Sequence, residues 1–167
     1  MRIKRSNYDK NPYFCDKCRI MQNFKGYQAQ ENALLIQADH VGPGTGYFDF
    51  IALSRSGVIK RALLNLSRQI SFSLTELAQV VHISERTLQR YADDAKLSLD
   101  TSERAIMLSA LYQRGAEVFG DLENFKEWMR TPLPSFNYQL PISLLDTTFG
   151  FQLIQDELGR IEHGLFA

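Results

Sequence analysis

Residues that begin helices recur along the chain after Ser56, and no segment among them alternates apolar and polar side chains as a half-buried strand would. Ser73 followed by Glu76 is the pattern of a capping box. The other expected helix starts are Ser84, Asp100 with Glu103, Asp121, Pro141, and Thr147 or Thr148. We expect helices over about residues 56–69, 74–81, 84–94, 100–119, 121–130 and 147–163. This pattern predicts an all-α fold.

The helix signals and the composition divide the chain into three parts. Residues 1–28 are polar, basic and dotted with aromatic side chains, and a glycine-rich loop lies at Gly42–Gly46, so we expect an irregular N-terminal extension over residues 1–45. Residues 33–38 within it suit either a short strand or a helix turn. We predict a central helical domain over residues 46–99 and a small C-terminal helical domain over residues 100–167.

The 167 residues include 19 basic and 19 acidic side chains, but their distribution is uneven. Seven Lys or Arg accompany two Asp in residues 1–25, residues 51–75 hold four basic side chains and no acid, and residues 131–167 hold four acids and one Arg. Part of the surface therefore suits a polyanion, unless the asymmetry is only that of a solvated surface. No apolar run is long enough for a bilayer span or a secretory signal, and two cysteines are too few for a disulfide framework. We expect a cytoplasmic protein.

The segment from Leu74 to Tyr91 has the spacing of a helix-turn-helix, with two short helices joined by a turn at residues 81–83. Ala78 is small where the first helix must approach the second. The side chains expected to point inward are Ile83, Leu88 and Tyr91. His82 occupies the turn position where glycine is usual, because that position often needs a positive φ. Two such helices also occur in bundles that never touch DNA, and the spacing alone leaves that alternative open.

The second helix of this motif carries the candidate DNA-binding residues, which are Ser84, Glu85, Arg86, Thr87, Gln89 and Arg90. Arg and Gln make bidentate contacts with guanine and adenine edges, provided that they point away from the core. Helical spacing places Arg86, Gln89 and Arg90 opposite the apolar face, and Ser84 at the helix N-terminus can meet a backbone phosphate. Further phosphate contacts are expected from Arg55, Lys60, Arg61 and Arg68.

A family resemblance becomes specific in this region. Residues 84–90, following residues 74–83, resemble the Xre-type antitoxins of RES–Xre toxin–antitoxin modules. The resemblance continues through a series of motifs at residues 97–104, 118–121, 128–132, 141–145 and 159–164. The last of these is similar to the end of the Xre/MbcA/ParS-like toxin-binding domain. Together the motifs cover about residues 56–167, whereas residues 1–40 exceed what the family pattern requires.

The resemblance implies an antitoxin with two functions. It would bind and inhibit a RES-type toxin, which depletes NAD, by covering the toxin's active-site entrance with its C-terminal segment. As a homodimer it would also bind operator DNA and repress its own operon. The candidate toxin-binding residues are Trp128, Arg160, Ile161, Gly164, Leu165, Phe166 and Ala167. Two alternatives stay open: a stand-alone helix-turn-helix regulator, and a purely protein-binding inhibitor without DNA binding.

Some of these toxin-binding candidates also have a purely structural interpretation. The apolar tail, residues 165–167, suits insertion into a pocket of the toxin, but it can equally pack onto its own core. Trp128 is a candidate interface anchor, although a place in the core of the C-terminal domain fits it better. The apolar stripe Phe151, Ile154, Leu158 and Ile161 is expected to dock the last helix onto the preceding ones.

Other candidate sites are weaker. Cys15 and Cys18 have the spacing of metal ligands, but a structural zinc needs four ligands and no histidine lies at a suitable spacing. The glycine-rich loop lacks the Lys-Ser/Thr of a P-loop. No cluster of histidine, cysteine, serine or paired carboxylates suggests catalysis. We therefore expect no metal, no cofactor and no enzymatic activity.

Overall fold

The computed structural model describes residues 47–164, and in this part the chain forms helices and isolated bridges but no strand. The α-helices are, in order, α1 (Tyr47–Ser56), α2 (Lys60–Gln69), α3 (Leu74–Val80), α4 (Glu85–Arg90), α5 (Leu99–Phe119), α6 (Leu122–Met129) and α7 (Thr148–Glu162). Two 3₁₀-helices, Pro134–Phe136 and Pro141–Leu144, lie between α6 and α7. The predicted all-α class is confirmed. The predicted N-terminal extension lies outside the described residues.

Most predicted helix starts are confirmed by hydrogen bonds from the first turn to the capping side chain. Ser73 Oγ accepts from the Glu76 N–H, and the Glu76 carboxylate accepts from the Ser73 N–H at 2.7 Å, which completes the capping box. The same type of cap is present at Ser84, Asp121 and Thr147. The predicted start at Asp100 is wrong, because Ser98 caps α5 by accepting from the Thr101 N–H.

The predicted helix over residues 56–69 is interrupted in its first turn. Helix α1 ends at Ser56, Gly57 adopts a φ of +83°, and α2 begins only at Lys60. The backbone of Val58, between the two helices, bonds to residues far away in the sequence. Its N–H donates to Ser102 Oγ at 2.9 Å, and its carbonyl accepts from the Leu97 N–H at 2.8 Å. These bonds replace helical ones, so the chain turns here and α1 packs separately against α5.

The second helix of the helix-turn-helix is shorter than predicted. It ends at Arg90, and Tyr91 is extended and 36% exposed, so the prediction of an inward-pointing Tyr91 is wrong. The cause is a contact with the start of α2, whose first N–H groups have no partner within their own helix. The Arg61 N–H donates to the Asp93 carbonyl at 2.9 Å, and the Lys60 N–H donates to the Ala95 carbonyl at 3.0 Å.

Helix α5 lies at the centre and packs against α1, α6 and α7. Gly115 of α5 allows the close approach of Phe125 from α6, because a Cβ at Gly115 would overlap the phenyl ring. Buried side chains from Val58 to Leu158 form one continuous hydrophobic core. The helix-turn-helix and the C-terminal helices therefore share a core across residues 99 and 100, and the domain boundaries predicted from sequence stay predictions.

Candidate functional site

The helix-turn-helix consists of α3, the turn at residues 81–83 and α4, as predicted. Leu77 and Val81 are fully buried, and Ala78 is buried where α3 meets α4. The Ile83 N–H donates to the Ala78 carbonyl at 3.1 Å, which closes the turn. His82 has a φ of +53°, which confirms the predicted left-handed turn position. The two helices are thus held by a small apolar contact and a tight turn.

Helix α4 turns one face to the core and the other to solvent. Leu88 is buried against α3, whereas Arg86, Gln89 and Arg90 are exposed. In the described part of the chain neither of the two guanidinium groups has an intramolecular partner, so both are free to contact a ligand. An exposed pair of arginines with a glutamine on one short helix matches the hydrogen-bonding needs of base edges in a major groove.

Ser84 and Thr87 stabilise the N-terminus of the same helix. Ser84 Oγ accepts from the Thr87 N–H at 3.1 Å and shares a hydrogen bond with the Thr87 hydroxyl at 2.7 Å. Glu85 is half-buried in the first turn, where a carboxylate stabilises the helix dipole. The structure therefore places all six candidate DNA-binding residues on one helix or its cap. The two arginines and Gln89 are exposed and make no side-chain hydrogen bond within the described part of the chain.

Of the four additional basic residues, Lys60 is not available for a phosphate. The residue is only 8% exposed. Its Nζ donates to the Tyr91 carbonyl at 2.8 Å and pairs with the Asp93 carboxylate at 3.1 Å. The expectation that it contacts a phosphate is therefore corrected: Lys60 holds the segment after α4 in place. Arg55, Arg61 and Arg68 are exposed, as the expectation requires.

A salt bridge ties α3 to the end of α6. Arg130 Nη1 lies 2.8 Å from Glu76 Oε1, and Arg130 Nη2 donates to the Ser71 carbonyl at 2.9 Å. The hydrogen bond from Arg130, with smaller contributions from Ser73, lowers the pKa of Glu76 from 4.5 to about 2 against the opposing effect of burial. The helix-turn-helix is thereby fastened to the C-terminal helices.

This salt bridge predicts a pH dependence of stability. Because the pKa of Glu76 is lower in the folded chain, its carboxylate stabilises the fold above pH about 4.5 and this contribution is lost as the pH falls toward about 2. We expect Glu76→Gln to cost about 1 kcal/mol at neutral pH, since the pair is partly exposed. Urea denaturation of both proteins from pH 7 downward should show the difference shrinking below about pH 4.5. A difference that stays constant with pH would contradict this assignment.

Trp128 belongs mainly to an aromatic cluster inside the C-terminal half. Its ring lies 5.5 Å from that of Phe119, 5.7 Å from that of Phe125 and 6.0 Å from that of Phe136, measured between centroids. The side chain is half-buried. This geometry favours a place for Trp128 in the core of the C-terminal helices. Only the exposed part of its side chain could contact a partner.

Helix α7 has a buried face and an exposed face. Phe151, Ile154 and Leu158 are buried as predicted, and Ile161 is half-buried on the same stripe. Arg160 is exposed and pairs with Glu157 at 2.9 Å. The helix stops before Gly164, which has a φ of +66°. The tail residues Leu165, Phe166 and Ala167 lie outside the described residues.

The exposed face of α7 carries two large apolar side chains that the sequence analysis did not single out. Phe149 is 88% exposed and Leu153 is 41% exposed. Helical spacing places both on one stripe with Arg160, opposite the buried stripe. The sequence did contain a signal for this surface, because helical spacing puts these two apolar side chains on the side of the helix that faces away from the core. An exposed apolar pair of this kind is typical of a surface that binds a partner. We call these three residues the α7 outer stripe.

Within residues 47–164, no group of histidine, cysteine, aspartate or glutamate side chains is arranged to hold a metal ion. Cys15 and Cys18 lie outside this range. No helix in the described range is long and apolar enough to cross a membrane.

Two family models match the chain. Residues 49–109 match the Antitoxin Xre-like helix-turn-helix domain, and residues 114–164 match the Antitoxin Xre/MbcA/ParS C-terminal toxin-binding domain. The first range contains α4 with its exposed arginines, and the second contains α7 with its outer stripe. The first range ends and the second begins within the central helix α5.

Curated relatives point to the same family. A protein named Antitoxin Xre from Yersinia enterocolitica is 30% identical over 158 residues, which cover 94% of this chain and 97% of the relative. Another Antitoxin Xre, from Photorhabdus laumondii, is 28% identical over 97 residues, which cover 57% of this chain and 66% of the relative. The chain therefore belongs to the Xre family of antitoxins, with a helix-turn-helix domain and a C-terminal toxin-binding domain.

Proposed function

We propose that this antitoxin binds and inhibits a RES-type toxin and represses its own operon by binding operator DNA as a homodimer. Both functions are binding functions, and we infer that the chain is not an enzyme. The observation that carries the proposal is the presence of two exposed surfaces, the arginine face of α4 and the outer stripe of α7, in the two ranges that match the family domains.

DNA binding is supported by the geometry of α4. Its exposed side chains are the types that read guanine and adenine, and its N-terminus can approach a phosphate. One such helix covers only a few base pairs, so specific binding needs two copies that read two half-sites. This is the reason for the proposed homodimer. The experiment is a gel-shift assay with the promoter region upstream of the antitoxin's own gene, in competition with unrelated DNA.

Toxin binding is supported by the outer stripe of α7. A phenylalanine that is almost fully exposed gains burial when a partner covers it, and Arg160 at the other end of the stripe can pair with an acidic group or a carbonyl of the toxin. The tail, residues 165–167, follows directly from this helix and is proposed to enter the toxin's active-site entrance. Helix and tail would thus form one continuous contact.

We expect Phe149→Ala together with Leu153→Ala to weaken inhibition of the toxin by about tenfold or more, since burial of each side chain contributes about 1.5–3 kcal/mol before ordering costs. The measurement is NAD consumption by the purified RES-type toxin as the antitoxin is added. A second variant that lacks residues 165–167 tests the tail in the same assay.

The matched control is Phe48→Ala, which removes an equally exposed phenylalanine from α1, outside the range matched to the toxin-binding domain. It should inhibit like the unaltered chain. If both the double variant and the tail deletion inhibit normally, the toxin contact lies elsewhere. If the unaltered chain itself fails to inhibit a RES-type toxin, the toxin class is wrong.

A further inference from the structure

The turn of the helix-turn-helix is held by a residue of the toxin-binding domain. His82 Nε2 lies 2.8 Å from the carbonyl oxygen of Asp146, although the two residues are 64 positions apart. A carbonyl oxygen can only accept, so Nε2 carries the proton and donates it. Asp146 lies between the 3₁₀-helix Pro141–Leu144 and α7, within the matched toxin-binding range.

A second side chain converges on the same carbonyl. Arg104 of α5 donates from Nη1 to the Val80 carbonyl at 3.1 Å, at the end of α3, and lies 3.5 Å from the Asp146 carbonyl. The end of α3, the turn and the segment before α7 are therefore joined through His82 and Arg104. The turn rests on tertiary contacts as well as on its own hydrogen bonds.

Histidine is less suited to this backbone position than glycine. At a φ of +53° a residue with a Cβ is strained, and glycine or asparagine would fit with less cost. The imidazole here is exposed, so burial does not compensate for the strain. The hydrogen bond to Asp146 is the contact that a glycine would lack.

The position of α4 depends strongly on this turn. The helix has six residues, and Leu88 is its buried side chain. Among the helices, α4 packs chiefly against α3. The segment after α4 is held by Lys60 through the Tyr91 carbonyl and the Asp93 carboxylate, so the turn is the attachment at the other end of the helix, and the direction of Arg86 depends on both attachments.

We propose that His82 is a positioning residue for DNA recognition, and that it sets the direction of α4 by donating a hydrogen bond to the Asp146 carbonyl of the toxin-binding domain. The inference rests on the proposed DNA binding. It adds that the toxin-binding domain is part of the DNA-binding apparatus, since it supplies the acceptor for the turn.

Three substitutions at His82 separate this role from backbone strain. His82→Gly removes both the strain and the donor. His82→Asn tolerates a positive φ, but its amide is too short to reach the position of Nε2. His82→Gln is poorly suited to a positive φ, yet its amide nitrogen can reach that position. If the hydrogen bond matters, His82→Gln should bind the operator like the unaltered chain, while His82→Gly and His82→Asn should bind about 3- to 10-fold more weakly.

The purified full-length proteins are compared by gel-shift on the operator and on unrelated DNA, and by amide NMR shifts of α4 without DNA. We expect the affinity loss on the operator to exceed that on unrelated DNA. The amide shifts of α4 in His82→Gly and His82→Asn should depart from those in the unaltered chain and in His82→Gln. If His82→Gly and His82→Asn bind the operator best and His82→Gln binds it worst, backbone strain alone decides the affinity, and the proposal is overturned. Equal affinities and equal shifts would overturn it as well.

The two kinds of failure are distinguishable. If the unaltered chain does not bind its promoter region, DNA binding itself is wrong, whatever the NMR shifts show. If it binds and the four proteins bind alike, only the role of His82 is wrong.

Discussion

Replacing Arg86 and Arg90 together with alanine is expected to weaken operator binding by about 100-fold or more. Each arginine that contacts a guanine edge contributes about 1–3 kcal/mol, and both side chains leave α4 toward solvent without a partner in the described part of the chain. Because neither takes part in the fold, the free energy of unfolding should change by less than about 0.5 kcal/mol. Gel-shift titration and urea denaturation measure the two quantities.

The control for this variant is Arg160→Ala, which removes one positive charge from the exposed face of α7. It should leave operator affinity nearly unchanged, whereas the double variant should still inhibit the toxin. Loss of two cationic contacts should also reduce the dependence of binding on salt concentration. Equal operator affinity of the unaltered chain and the double variant would show that α4 does not read the DNA.

Gly150→Ala is expected to lower the free energy of unfolding by about 3 kcal/mol. Gly150 lies in the first turn of α7, where its N–H donates to the capping Thr147 hydroxyl at 3.0 Å. A Cβ there would overlap the backbone carbonyl of Leu144, at the end of the preceding 3₁₀-helix. A backbone carbonyl cannot rotate away as a side chain can, so the start of α7 must move off its support.

Gly159→Ala in the same helix is the matched comparison. Its Cβ would meet only the end of the Arg114 side chain at an ordinary 3.5 Å, so alanine should stabilise the helix by about 0.5–1 kcal/mol. Urea denaturation of the three proteins gives the difference directly. Similar stabilities for the two variants would mean that α7 does not pack on Leu144 as described.

Local hydrogen bonds explain which parts of the fold were predictable. A cap joins residues three positions apart, so Ser73, Ser84, Asp121 and Thr147 could be recognised as helix starts without knowledge of the rest of the chain. The buried face of α7 followed likewise from helical spacing. The positive φ of His82 followed from the geometry of the turn between two closely packed helices.

Helix ends and breaks were predicted less well because distant contacts decide them. The spacing allowed α4 to continue to about residue 94, but the first N–H groups of α2 draw the carbonyls of Asp93 and Ala95 away from a helical geometry. Similarly, the bonds of Val58 with Leu97 and Ser102 separate α1 from α2. The sequence within a few residues of these positions does not predict such contacts.

For the site, the sequence was sufficient to predict which side chains α4 offers to a ligand, because helical spacing alone separates Arg86, Gln89 and Arg90 from Leu88. It could not show that Lys60 is buried, that Phe149 stands free of the core, or that His82 meets the Asp146 carbonyl. These facts were decided by tertiary structure. They depend on which surfaces the single core brings together, and residues 64 positions apart become neighbours only when the whole chain has packed.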